Sequence, residues 1–169
     1  MAAGQVMAHP CDTLGCLEAL VVGVYDGDTV TVAGEFAGAR EQKRLRLTEI
    51  DSPERGQPWG DRARQAMADK VFQRQVRIAP QGEDRYGRLL GRIYVGDRDI
   101  NREMIQEGHA WVYRQYSSDI SLFEDESLAR ERRAGLWSLP DAERMPPWER
   151  RQRGDRPAQT EVDAAPADE

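Results

Sequence analysis

Two short acidic segments, Asp26-Gly27-Asp28-Thr29 and Asp51-Ser52-Pro53-Glu54, precede a third segment, Arg85-Tyr86-Gly87-Arg88. Asp28 and Asp51 each follow a run of strand-forming residues. Two strand ends can therefore bring carboxylates onto one oxygen-seeking cation of the calcium type. Arg46 and Arg88 carry the forked guanidinium that grips a phosphodiester through paired hydrogen bonds. A hard-metal site facing a phosphate clamp suits phosphoryl-transfer hydrolysis.

The elements that must position these groups begin with three strand-like runs at 17–25, 29–36 and 42–50, rich in Val, Leu, Ile and Thr and separated by Gly-containing breaks. Side chains alternate across a strand, so Leu45, Leu47 and Glu49 share one face of the third run, and Arg44, Arg46 and Thr48 the other. Ala63, Ala66, Met67 and Val71 recur at helical spacing after a turn at Pro58. Two further strands are expected at 76–79 and 89–95. Asp99 is placed to cap a helix carrying Ile100, Met104 and Ile105, with Gly108 at its stop. A last helix is expected over 121–134, with Glu124, Asp125 and Glu126 early and Arg130, Arg132 and Arg133 late, in the sense that complements the helix dipole. The order βββαββαα predicts an α+β domain, a five-stranded OB-fold β-barrel packed against three helices.

With 169 residues, 39% apolar and 32% charged, the chain suffices for one domain with a real core. No stretch approaches the ~20 apolar residues of a membrane helix, and Met1 to Pro10 lacks the basic start and apolar block of a signal peptide. A soluble protein without a membrane partner is expected, as a monomer. Of the formal charge of -6, the stretch from Pro157 onward, with Glu161, Asp163, Asp168 and Glu169 and no Lys or Arg, holds -4, leaving -2 for the rest. The expected organisation is an N-terminal arm at 1–16, a domain at 17–149 and a disordered acidic tail at 150–169. Nothing forms a broad basic stripe, so nucleic-acid binding should be modest and lean on a metal and a few arginines. Cys11 and Cys16 read either as two free thiols on the arm or as a disulfide. A disulfide favours a secreted or periplasmic protein whose signal has been removed, and free thiols favour the cytoplasm.

In order along the chain stand VVGVYDGDTVTV (21–32), RLRLTEIDSPE (44–54), DRYGRLLGRIYV (84–95), DINREMIQEGHAWVY (99–113) and RRAGLW (132–137). Taken together over residues 17–149, these motifs resemble the staphylococcal nuclease-like (thermonuclease) domains. The resemblance implies the same OB-fold. It also implies Asp28, Asp51 and the carbonyl of Ser52 as protein ligands of Ca²⁺. Glu54 would be the water-orienting general base, and Arg46 and Arg88 the stabilisers of charge on phosphorus. Arg85 and Tyr86 match positions that contact a neighbouring phosphate, and Tyr116 an aromatic near the base. Arg114 stands where the best-known member has a tyrosine. The lysine-rich insertion of that member is absent after Glu54, where Arg55 to Gly60 is short instead.

Plainer roles stand beside these. Arg46 can be a solvated residue on a strand's polar side, and Glu54 an N-cap or first-turn glutamate of the following helix. Asp26 can be an outer-shell partner of Asp28 or a turn aspartate. Tyr86 and Tyr116 can pack at the core edge, and Trp111, Trp137 and Trp148 are read as packing residues. The implied activity is calcium-dependent, sugar-nonspecific hydrolysis of DNA and RNA giving 3′-phosphate ends. The alternative is a catalytically inert OB-type module that binds nucleic acid or protein, with a purely structural calcium domain third. The joint presence of Asp28, Arg46, Asp51, Glu54 and Arg88 favours the enzyme.

Overall fold

The computed structural model describes Cys11 and residues 15–154. The strands are β1 (Leu17–Val24), β2 (Thr29–Phe36), β3 (Ala39–Leu47), β4 (Ile50–Asp51), β5 (Gln75–Glu83), β6 (Leu89–Val95), β7 (Arg98–Asp99) and β8 (Trp111–Val112). The helices are α1 (Gly60–Val71), α2 (Ile100–Gln106), α3 (Ile120–Glu131) and α4 (Pro147–Gln152), with short 3₁₀ turns between α2 and α4.

Five strands close a barrel. β1 pairs antiparallel with β2 and β5, β2 with β3, and β5 with β6. The ring is completed by a parallel contact of β3 with β6, in which Leu45, Leu47 and Arg46 lie opposite Leu89, Gly91 and Leu90. Alternation puts Val30, Val32, Leu45, Leu47, Ile78 and Ile93 inside, each fully buried. α1 turns Ala63, Met67 and Val71 inward, one turn apart, and α2 contributes Ile100, Met104 and Ile105 to the same core. The α+β OB-barrel expected from the element order is the fold found.

Several boundaries differ from expectation for local reasons. The third strand stops at Leu47 because Glu49 takes a left-handed backbone conformation, φ 67°. The chain then redirects Ile50 and Asp51 to pair with Val112 and Trp111. β5 runs on to Glu83 rather than ending at Ala79. Asp99 does cap α2, accepting a hydrogen bond from Arg102 N at 3.1 Å. The early acidic residues of α3 do more than face the dipole. Glu126 is buried and accepts from Val112 N (3.2 Å) and from the Arg114 guanidinium (2.8 Å).

A second apolar cluster holds Trp111, Ala129, Leu136 and Trp137, with Trp59 and Trp148 against it. Trp111 meets Trp137 edge-on at 4.4 Å and Trp148 edge-on at 5.8 Å, so the three tryptophans expected to pack do so. Trp148 lies in the first turn of α4, a helix that runs across the position where the domain was expected to end; residues 155–169 lie outside the described residues. Cys11 and Cys16 form a disulfide, Cα–Cα 4.9 Å, beside Ala79 and Tyr94. Among the described residues no helix is long and apolar enough to cross a membrane.

Gly108 and Gly135 let the end of α2 approach the end of α3. Both have positive φ, and a Cβ on Gly135 would stand 2.2 Å from Gly108 O. Gly135→Ala should therefore cost roughly 3 kcal/mol, read as a lowered urea midpoint with unchanged slope.

Candidate active site

The turn between β1 and β2 brings Asp26 and Asp28 to one end of the barrel, and β4 delivers Asp51 beside them. Gly27 makes the approach possible, since a Cβ there would stand 2.0 Å from Ser52 Oγ. Asp28 Oδ2 accepts from Ser52 N at 2.6 Å, and its Oδ1 from Thr29 Oγ1 at 3.0 Å. The Ser52 hydroxyl donates to His109 O at 3.0 Å, which leaves the main chain as the part of Ser52 that faces Asp28. His109 sits in the turn before β8 and accepts from Trp59 Nε1 at 3.0 Å.

Arg46 joins the two acidic segments. Its Nη2 lies 3.3 Å from Asp28 Oδ2 and 3.0 Å from Asp51 Oδ1, while Nη1 donates to the carbonyls of Leu47 and Ile50. The side chain is only 14% exposed, so the solvated-strand role does not apply to it. Burial opposes its charge, but Asp28, Asp51 and Asp26 outweigh that and strengthen its hold on the proton.

Asp51, 1% exposed, is pushed up to about 6 by burial, against the pull of Arg46 and with Asp28 adding to the rise. Burial, and then the neighbouring Asp28, hold Asp26 well above the usual carboxylate range. Asp26 also serves the turn directly, its Oδ1 accepting from Asp28 N at 3.1 Å.

Glu54 lies before α1 rather than in its first turn, where the acidic residue is Asp61, and the α1 cap is Trp59 with no side-chain hydrogen bond. The helix-capping role for Glu54 is thus excluded. Its loop folds close to α1 because Gly60 lacks a Cβ, which would stand 2.2 Å from Glu54 O. Gln57 Oε1 accepts from Glu54 N at 3.0 Å, and the same amide donates to Met145 O in the segment leading to α4.

Arg151, from α4, completes the cluster and was not anticipated. Its guanidinium donates to Glu54 Oε1 (2.8 Å), Asp51 Oδ2 (2.7 Å) and Asp51 Oδ1 (3.3 Å). Burial opposes its charge and the two carboxylates more than compensate, raising its pKa. Four carboxyl groups thus converge on two guanidiniums. That excess of acidic oxygen fits a hard divalent cation, and an arginine guanidinium already stands against Asp51 and Glu54 as an internal cation. Among the described residues no three His, Cys, Asp or Glu side chains stand at ligating distance of a common point. Main chain and water would have to complete the shell.

The family described as Staphylococcal nuclease homologue matches residues 44–139. The chain is 43% identical over 141 residues to "Micrococcal nuclease" of Shigella flexneri, covering 77% of this chain and 79% of that one. The chain belongs to the staphylococcal nuclease family. An "Uncharacterized endonuclease" of Haemophilus influenzae is 35% identical over 133 residues, 79% of this chain and 73% of that one. "Staphylococcal-like nuclease CAN1" of Arabidopsis thaliana is 35% identical over 111 residues, 66% of this chain and 34% of that one.

The other positions implied by resemblance to this nuclease family lie apart from the carboxylates. Arg88 sits on the β5–β6 turn, its Nε donating to Asp84 Oδ2 at 2.7 Å, and is about one-third exposed. That turn reaches the same barrel end, because Leu90, two residues on, pairs with Arg46. Tyr86 is 65% exposed, with the guanidiniums of Arg85 and Arg88 at 4.9 and 5.7 Å from its ring, so it is no core-edge residue. Tyr116, 63% exposed, meets Tyr113 edge-on at 4.7 Å. Asp84, which orients Arg88, was legible as the acid four residues before it; Gln57 and Arg151 left no signal.

The raised Asp51 pKa carries a sign. From pH about 4 to about 6 the folded chain keeps a proton on Asp51 that the unfolded chain has lost, so stability falls as pH rises through that window. In EDTA, the advantage of the wild type over Asp51→Asn should shrink by about 2–3 kcal/mol from pH 4 to 6.5, measured by urea unfolding at each pH. A difference that stays flat would place the Asp51 proton elsewhere.

Proposed function

We propose that the protein is a calcium-dependent nuclease that hydrolyses phosphodiester bonds of both DNA and RNA, leaving 3′-phosphate and 5′-hydroxyl ends. The observation that carries this reading is the convergence at one barrel end of Asp28 and Asp51 on Arg46, with Glu54 joined to Asp51 through Arg151. Membership of a nuclease family supports it.

Asp28, Asp51 and the main chain of Ser52 would hold the cation. Ca²⁺ bound there supplies charge neutralisation for the phosphate and a lower pKa for nearby water. Glu54 accepts the proton of the attacking water as its oxygen bonds to phosphorus. The bond from phosphorus to the 5′ oxygen breaks, and that oxygen takes up a proton to become the 5′-hydroxyl. Arg46, fixed by four acceptors, presents a preorganised positive charge where negative charge grows on phosphorus. Arg88, on a turn that its Asp84 contact braces, would close on the phosphate from the opposite side.

Tyr86, exposed and with two guanidiniums near its ring, offers an aromatic group and positive charge to a neighbouring nucleotide, with Arg85 on its phosphate; exposed Tyr116 offers a second aromatic. Stacking tolerates any base, which suits a sugar-nonspecific substrate range. The Cys11–Cys16 disulfide supports work in an oxidising compartment, either secreted or periplasmic.

Purified protein should cleave single-stranded DNA and RNA with CaCl₂, lose that activity in EDTA and recover poorly with Mg²⁺, whose octahedral demand suits this donor set less well. Glu54→Gln should cut turnover by about 10²–10⁴-fold. Arg46→Lys and Arg88→Ala should each cut it by about 10²–10³-fold with folding retained. Binding of nucleic acid without cleavage under every metal would replace the enzyme with a binding module.

A further inference from the structure

α4 holds a guanidinium on two of the carboxylates that the proposed reaction needs. Trp148 stacks parallel to Tyr113 (5.5 Å, 5°) and edge-on to Trp111, seating the helix against the aromatic cluster. Gln57 ties the Glu54 loop to Met145 just ahead of that helix. From this mount Arg151 reaches both oxygens of Asp51 and one of Glu54.

The two arginines of the cluster are anchored differently. Arg46 leaves a barrel strand and also donates to the carbonyls of Leu47 and Ile50, so its position is set by the main chain. The hydrogen bonds described for Arg151 all go to carboxylates, and its side chain is 29% exposed, with a route to solvent. A divalent cation on Asp51 must take an oxygen that a guanidinium proton now occupies, and would stand beside a like charge in a poorly solvated site.

We propose that Arg151 is an internal stand-in for the divalent cation, holding Asp51 and Glu54 in place until a metal binds and then releasing both. The inference rests on reading the carboxylates as a metal site. While the guanidinium is engaged, the cradle is closed to metal, so apparent affinity is the intrinsic affinity multiplied by the fraction of time Arg151 is away. Linkage makes this reciprocal: metal loosens the hold of α4 as much as α4 weakens metal. The exchange keeps Asp51 and Glu54 supplied with a counter-charge beyond that of Arg46 whether or not metal is bound.

The test is calcium binding by titration calorimetry on the full chain, for wild type, Arg151→Met and Arg151→Lys. Arg151→Met should bind Ca²⁺ about tenfold more tightly. Arg151→Lys, a single point charge without the fork, should fall between. Hydrogen exchange on the wild type needs no variant: amides of residues 149–152 should exchange faster with CaCl₂ than with EDTA. Equal or weaker calcium affinity in Arg151→Met, with wild type binding normally, overturns the stand-in while leaving the metal site intact. α4 amides unmoved by calcium overturn it as well. Absence of calcium binding in all three proteins removes both the inference and the metal reading beneath it.

Discussion

Everything at the acidic end of the barrel depends on Arg46 being buried and charged. Bringing Asp26, Asp28 and Asp51 out of water within a few ångströms of one another is unfavourable without a cation among them. Arg46 meets that requirement from inside the barrel wall and converts it into geometry. Its Nη2 sets Asp28 against Asp51, and its Nη1 draws in the carbonyls of Leu47 and Ile50, across the bend where β3 gives way to β4. The same guanidinium thus fixes the path of the main chain and the spacing of the acids. Asp51 still rises to about 6, because burial, with Asp28 beside it, outweighs the pull of Arg46 and Arg151.

The bend itself is where the fold departs from regularity to make a site. A strand continuing through Glu49 would keep Ile50 and Asp51 on the ladder with β2. The left-handed Glu49 frees them to pair with β8 instead, which places Asp51 opposite Trp111 of the tryptophan cluster. Glu49 then accepts from Arg92 (2.6 Å) and Ser117 (3.1 Å), so the strained residue is held by its own side chain. Gly27 and Gly60 complete the arrangement by letting two acid-bearing loops approach more closely than any Cβ would permit.

These features explain what the sequence could and could not disclose. Barrel strands and helices were legible because alternation and helical spacing are local: Leu45 and Leu47 on β3, and Met67 and Val71 on α1, point inward as their periods require. Arg46 was legible as a phosphate-binding candidate only through the motif around it. On period alone it belongs with Arg44 on the polar face, and what separates the two is the set of acceptors that tertiary folding gathers. The break at Glu49 had no warning, since a glutamate at positive φ carries no turn signature of the Gly or Asn kind.

The C-terminal helix shows the same limit more sharply. Residues 146–154 hold two prolines, three arginines, one tryptophan and one glutamate, a composition that reads as solvated chain. α4 is only six residues long and could not persist alone. What orders it is the parallel stack of Trp148 on Tyr113, together with the Gln57 tie to Met145. An ordered terminus of this kind is defined by one ring finding a partner and not by a periodic pattern. Once it is seated, the next turn of helix puts Arg151 on Asp51 and Glu54, so the folded unit extends past the aromatic cluster because the acidic site attracts its last cation.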